Sequence, residues 1–161
     1  MRATHEFPAF YRPDSELLIL GSFPSVKSRE QSFYYAHPQN RFWHVLAACF
    51  GEPTPADIAA KHALLTAHRI ALWDVIDSCD ITGSSDASIK NAVPTDILGL
   101  CERTPICRVI LNGKTAERLF LRHYKDFPLP TATMPSTSPA NAAWSLERLI
   151  GEWKPAVLGE K

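Results

Sequence analysis

Leu17-Leu18-Ile19-Leu20 and Val109-Ile110-Leu111 are short, unbroken apolar runs, and each stops at a turn signal, Gly21 or Asn112-Gly113. Side chains alternate across a strand, so a run with no polar member is a strand buried on both faces. Ile70 to Ile76 reads as a further strand. Between these segments the apolar residues fall into helical spacing. Phe42, Trp43, Leu46, Cys49 and Phe50 recur through a helix predicted over 40–50, with Gly51 as its stop. A second helix is predicted from Pro55 to His68 with Asp57 in its first turn, one opens near Thr95, and one runs from Lys114 to about Tyr124. Phe127 to Met134 is a weaker strand whose Pro128 and Pro130 suit an edge. Ser138-Pro139 reads as the N-cap and first position of a final helix reaching about Trp153, with Leu146, Leu149, Ile150 and Trp153 as its apolar face. Asp77 to Asn91, rich in Ser, Asp and Gly, reads as a surface loop. Strands alternating with helices predict an α/β fold, a three-layer α/β/α sandwich with a short, mostly parallel central sheet. Ligands of such sheets bind beyond the carboxyl ends of the strands. Three loops are predicted to converge there: Gly21–Ser28, the turn at Asn112-Gly113-Lys114, and Pro135–Asn141.

The 161 residues suit a single domain over 1–161, long enough to bury ~70% of the unfolded chain's surface. No apolar run approaches the ~20 residues of a membrane span, so no membrane partner is expected. The first residues lead into no apolar core of a signal peptide, and the expected address is the cytoplasm, beside the nucleoid if the source is bacterial. Cys49, Cys79, Cys101 and Cys107 form no CxxC pair, and the histidines no HExxH, so neither a metal nor an iron–sulfur cluster is expected. The 17 basic and 17 acidic side chains cancel, which argues against bulk electrostatic binding of nucleic acid. The cancellation is uneven. Residues 17–51 carry Lys27, Arg29 and Arg41 against Glu30 alone, residues 107–161 carry eight basic against five acidic, and residues 52–106 carry four against eight. If the first and last of these segments meet, they form a mildly positive face that permits a polyanion.

Two segments carry candidate chemistry. The first is Gly21-Ser22-Phe23-Pro24-Ser25-Val26-Lys27-Ser28, followed by Phe33 to Trp43. Pro38 precludes an earlier helix start, so Asn40 is either an ordinary N-cap or an amide aimed into a cleft. Tyr34 and Tyr35 either close over the core or present a ring to a planar ligand. The second is Met134 to Asn141, whose small hydroxyl residues either form a plain strand-to-helix connection or bind an anion at a helix N-terminus.

Taken together, Leu-Gly-Ser-Phe-Pro-Ser after the first strand, Tyr35-Ala36-His37-Pro38-Gln39-Asn40-Arg41-Phe42-Trp43, and Met134-Pro135-Ser136-Thr137-Ser138-Pro139 resemble the uracil-DNA glycosylase superfamily. The Ala-His-Pro-x-Asn-Arg-Phe-Trp run is similar to the mismatch-specific uracil/thymine branch. The Gly-Ser-Phe-Pro-Ser and Pro-Ser-Thr-Ser-Pro-Ala versions look most like the hypoxanthine-DNA (deoxyinosine) branch. One departure stands out. The mismatch-specific branch has Gly-x-Asn-Pro-Gly in the first motif, with an Asn that helps to position water. Here Phe23 holds that place, Ser25 replaces the second glycine, and no carboxylate follows until Glu30.

The resemblance implies a monofunctional DNA glycosylase, acting as a monomer and without a cofactor on double-stranded DNA that carries a damaged base. The expected base is hypoxanthine, with uracil or other deaminated bases behind it. It implies Asn40 as the catalytic polar group, bonded to the base or the water, and Tyr35 as a stacking ring. Gly21, Ser22, Phe23, Pro24 and His37 would complete the base pocket. Ser136, Thr137, Ser138 and Pro139 would enter the vacated gap or hold adjacent phosphates, and Ser25, Lys27, Ser28 and Lys114 are candidate phosphate contacts. The competing readings are a damaged-DNA-binding protein of the same fold with little or no catalysis, and an enzyme acting on free nucleosides or RNA.

Overall fold

The computed structural model describes residues 2–159; the limits of the expected domain, Met1 and Lys161, lie outside them. The chain runs β1 (Arg2–Thr4), β2 (Leu17–Gly21), α1 (Val26–Gln31), α2 (Phe42–Cys49), α3 (Ile58–Ala67), β3 (Ile70–Asp74), β4 (Ile76–Asp80), β5 (Lys90–Pro94), α4 (Ile97–Glu102), β6 (Arg108–Asn112), α5 (Lys114–His123), β7 (Thr131–Met134) and α6 (Leu146–Leu158). β2, apolar up to its closing glycine, is central. It pairs in parallel with β3 and β6, and β7 extends the sheet beyond β6, giving the order β3-β2-β6-β7.

Alternation along β2 explains the layers. Leu17 and Ile19 enter a cluster with Phe42, Leu46, Leu65, Leu149 and Trp153, which belong to α2, α3 and α6. Leu18 and Leu20 enter a second cluster with Ile97, Leu100, Leu119 and Phe120 of α4 and α5. A strand with both faces covered needs apolar residues at every position, which is the pattern that singled it out. The register aligns Gly21 with Asp74 and Asn112 with Met134, so four strands end at one edge of the sheet.

The structure corrects the sequence reading in several places, and the loop expected over Gly21–Ser28 passes into α1 at Val26. The strand expected over 70–76 breaks after Asp74, and the segment taken for a surface loop contributes β4 and β5. These pair antiparallel with β1 in a second, three-stranded sheet, where Ile76 and Cys79 face inward and the polar residues face out. A strand half exposed in a small sheet tolerates Ser and Asp, so composition misled there. The final helix does not open at Ser138-Pro139. That segment is a turn, and α6 starts at Leu146, with Ser145 Oγ accepting from the Arg148 N–H at 3.2 Å. Its far end differs too: α6 passes Trp153 and runs to Leu158. Among the described residues, no helix is long and apolar enough to cross a membrane.

Candidate active site

Beyond the ends of the parallel strands lies a cavity of about 290 Å³. Gly21, Asp74 and Asn112 line it from the tips of β2, β3 and β6, and Asn40, Tyr35 and Thr137 line it from the loops above them. All three loops expected to converge border this cavity or the larger one of about 790 Å³ that adjoins it.

Asn40 is where the two open readings meet. Its Oδ1 accepts from the Phe42 N–H at 2.9 Å, so it does cap α2, with Arg41 as the intervening residue. The same Oδ1 accepts from the Thr137 hydroxyl at 2.9 Å, and Asn112 Nδ2 donates to that hydroxyl at 3.0 Å. A backbone N–H can only donate, which fixes the orientation of the Asn40 amide. Its carbonyl is spent on the fold. Its NH₂ makes no hydrogen bond among the described residues, and Asn40 lines the cavity. Cap and donor are two ends of one side chain.

Arg41 secures the opposite wall. Its guanidinium donates to the carbonyls of Ser138 at 3.2 Å, Asn141 at 3.1 Å and Trp144, and its backbone N–H reaches Thr137 O at 3.1 Å. The Arg in the Asn-Arg-Phe-Trp run therefore ties the helix entrance to the serine-rich loop.

Tyr35 adopts φ 54°, a left-handed conformation that costs a non-glycine residue about 1 kcal/mol or more. One face of its ring stacks on Phe42 at 4.0 Å. Its Oη is buried without a hydrogen-bond partner among the described residues. Burial drives the phenol pKa well above its ordinary value, and the Asp74 charge adds to that. A Cβ on Gly21 would lie 2.5 Å from Asp74 Oδ1 and 3.1 Å from Tyr35 Oη, so only glycine admits both groups at the strand tip.

Asp74 is a site residue that the sequence reading passed over. It is 3% exposed, and its Oδ2 sits 2.9 Å from His5 Nε2. His5 Nδ1 lies 2.7 Å from Phe7 O, an atom that only accepts, so with both nitrogens donating the ring is an imidazolium. Burial opposes that charge, but the hydrogen bond and charge of Asp74 outweigh it and hold the His5 pKa above its ordinary value. Asp74 Oδ1 makes no hydrogen bond among the described residues, and the residue lines the cavity. Asp86, from the short turn of helix at Asp86–Ser88, is a second carboxylate on the rim, with Ser22 Oγ donating to its Oδ1 at 2.8 Å.

The described segment from residue 8 to 155 matches the family model for the uracil DNA glycosylase superfamily. The chain belongs to this superfamily. Its enzymatic class is that of a DNA glycosylase, a hydrolase of the N-glycosidic bond, and its substrate is DNA. Over 151 residues it is 36% identical to a protein of Methanosarcina acetivorans named hypoxanthine DNA glycosylase, covering 92% of this chain and 94% of that one. A Methanosarcina barkeri protein of the same name is 33% identical over 110 residues, 67% of this chain and 70% of its own. The fold matches the solution NMR structure of a candidate uracil DNA glycosylase from M. acetivorans with a TM-score of 0.81 at 33% identity, covering 94% of each chain.

Within this glycosylase, Gly21, Ser22, Phe23, Pro24, Tyr35, His37 and Asn40 all line the one cavity, joined by Ser25, Ser136, Ser138 and Pro139. His37 Nδ1 accepts from the Gln39 N–H at 3.1 Å, which leaves the Nε2 position for the ring proton. Ser28 and Thr137 also line the cavity, and their hydroxyls are tied into the fold. Ser28 is 2% exposed, with its Oγ accepting from the Ala36 N–H at 3.0 Å, and Thr137 is 0% exposed within the Asn40–Asn112 relay. Lys27 lies outside the cavity beside Glu30 at 3.6 Å, while Lys114 lines the adjoining larger one. No helix begins at Ser138, so a helix dipole supplies nothing to an anion there. Among the described residues no group of three or more His, Cys, Asp or Glu could hold a metal ion.

The residues missed were His5, Asp74, Asp86 and Asn112. Asp74 did leave a signal, as the one charged residue in an apolar strand. Asn112 was read only as a turn former. For His5 and Asp86 nothing local marks the role, because each reaches the site through long-range contacts.

Proposed function

We propose that this chain releases hypoxanthine from deoxyinosine in double-stranded DNA, as a monofunctional enzyme acting as a monomer. The observation that carries the reading is the pairing of a free amide donor, Asn40 Nδ2, with a free carboxylate acceptor, Asp74 Oδ1, in one cavity. Hypoxanthine presents a C6 carbonyl beside an N1–H, the complement of a donor beside an acceptor. Adenine presents the reverse at these atoms, an amino group beside a bare N1, and would leave both protein groups facing like partners. Such mismatched buried groups cost about 1–3 kcal/mol each. Two relatives named for hypoxanthine support the purine over uracil, which shares the same edge.

The chemistry follows from the groups available. The target nucleotide leaves the stack at a cost of a few kcal/mol, which is lower for a poorly paired base. As the C1′–N9 bond breaks, the sugar becomes cation-like and the base leaves as an anion. Asn40 donates to that developing charge, and Tyr35, backed by Phe42, stacks on the ring. Among the described residues no lysine lines the cavity, which fits hydrolysis without an amine adduct. The test is a panel of labelled duplexes carrying hypoxanthine, uracil, xanthine or mismatched thymine, scored for alkali-labile sites. Hypoxanthine release is expected to exceed uracil release. Rapid uracil excision without action on inosine would overturn this assignment.

A further inference from the structure

The first motif carries no carboxylate, yet the cavity has two, and they differ in every respect that matters for hydrolysis. Asp74 lies deep, 3% exposed, with one oxygen committed to the His5 imidazolium. Asp86 stands on the rim and lines both the base-sized cavity and the larger one beside it. A base held inside the smaller cavity leaves its sugar at the mouth, where the two cavities meet and where water arrives. We propose that Asp86 orients and deprotonates the water that attacks C1′. This rests on the glycosylase reading above and adds the group that reading leaves unnamed.

The rim position is held in place. Ser22 Oγ donates to Asp86 Oδ1 at 2.8 Å, which leaves Oδ2 for a water. The loop around it is bolted to the first motif and the helix that follows. The Val26 N–H reaches Ser84 Oγ at 2.9 Å, and Arg29 donates to Gly83 O at 2.7 Å. The groups that face Asp86 are Ser22 and Tyr35 from the motif loops, Asp74 from β3, Cys79 from β4 and Arg118 from α5. Its side chain is solvent-accessible, but the protein atoms around it displace part of its hydration and raise its carboxyl above its ordinary value. Ser22 and Arg118 work against that rise, and Asp74 adds to it. A more basic carboxylate is a better proton acceptor.

The step balances. The water oxygen bonds to C1′ as the C1′–N9 bond breaks, the electron pair of that bond leaves with the base, and the water proton passes to Asp86. The proton then goes to the departed base or to solvent, leaving an abasic sugar and free hypoxanthine.

The experiment is single-turnover release from an inosine duplex by the full chain at saturating enzyme, across pH. Asp86→Asn is expected to lower the rate by ~10² or more, within the usual range for a lost general base. Its binding to a duplex carrying 2′-fluoro-arabinoinosine, which resists cleavage, should stay within about threefold of the parent. The parent rate should fall on the acid side as Asp86 protonates. That limb should vanish in Asp86→Asn and move to higher pH in Ser22→Ala, which removes a hydrogen bond that stabilises the carboxylate. Formate should restore part of the rate to Asp86→Ala, an effect that a structural role cannot produce. A folded Asp86→Asn releasing hypoxanthine at more than a third of the parent rate, with its acid limb intact, overturns the assignment of Asp86 alone. A parent chain that releases no base from any duplex overturns the functional reading as well.

Discussion

Replacing Asn40 by Asp separates the two jobs of one side chain. The carboxylate keeps an oxygen for the Phe42 N–H and the Thr137 hydroxyl, both at 2.9 Å, so the start of α2 and the relay to Asn112 survive. Asp caps as well as Asn, and the expected change in stability is within ~0.5 kcal/mol. What disappears is the NH₂ aimed at the cavity, and a negative charge takes its place where the departing base becomes negative. Loss of one donor of this kind costs ~10²–10³ in rate, or about 3–4 kcal/mol. Asn40→Ala loses the same donor and the structural oxygen too. The lost cap costs ~1 kcal/mol, and the Thr137 hydroxyl, 0% exposed, loses its acceptor, which adds roughly another 1 kcal/mol or more. At about 2–4 °C per kcal/mol for a domain of this size, Asn40→Ala should melt some 4–8 °C lower and Asn40→Asp near the parent. The assay is single-turnover release from an inosine duplex beside thermal melts of all three proteins. Equal loss of activity with unequal loss of stability is the signature. A folded Asn40→Asp of parental activity would refute the donor role and leave only the cap.

Three further outcomes follow from the same geometry. The His5 pKa is higher in the fold than the unfolded 6.5, so the His5–Asp74 pair contributes stability that is full below pH 6.5 and is lost as pH rises through the folded value. Melts taken from pH 6 to 9 should therefore fall in the parent and fall less in His5→Gln; equal slopes would refute a charged pair. Gly21→Ala places a methyl 2.5 Å from Asp74 Oδ1, so release should drop sharply and stability by about 1–3 kcal/mol, measured by the same assay and melts. With no net charge the chain should contact few phosphates, giving a salt slope of ~3–5 in equilibrium binding titrations, and Lys114→Ala should weaken all duplexes alike; a slope near ten would show a larger basic surface.

The central sheet could be read in advance because burial on both faces forces an apolar residue at every position of β2, and no competing local structure wants that pattern. The small antiparallel sheet could not. Its strands β4 and β5 are half exposed and polar, and their partner β1 comes from the far end of the chain, paired Arg2 to Asp80. The false helix start at Ser138-Pro139 has a similar origin. Ser followed by Pro suits a cap, but the same two residues suit a turn, and Arg41, 97 positions away from Ser138, holds the loop in that turn by donating to carbonyls that a helix would have used. In the site, Asn40 could be named from its motif and from Pro38, whereas its orientation depends on Thr137 and Asn112, which no spacing rule connects to it.

The placement of His5 carries the electrostatic logic one step further. A carboxylate is a poor neighbour for a base that leaves as an anion, since two like charges in a site of low dielectric repel strongly. Asp74 is useful as an acceptor for an N–H and harmful as a bare charge. The imidazolium at 2.9 Å resolves that conflict, because it cancels the charge of Asp74 while engaging only Oδ2. Oδ1 stays available to read the base, and the deep end of the cavity remains close to neutral as the bond breaks. On this argument His5 serves the reaction although, among the described residues, none before Gly21 lines the cavity. Asp74 can take part in recognition only while His5 is there to neutralise it.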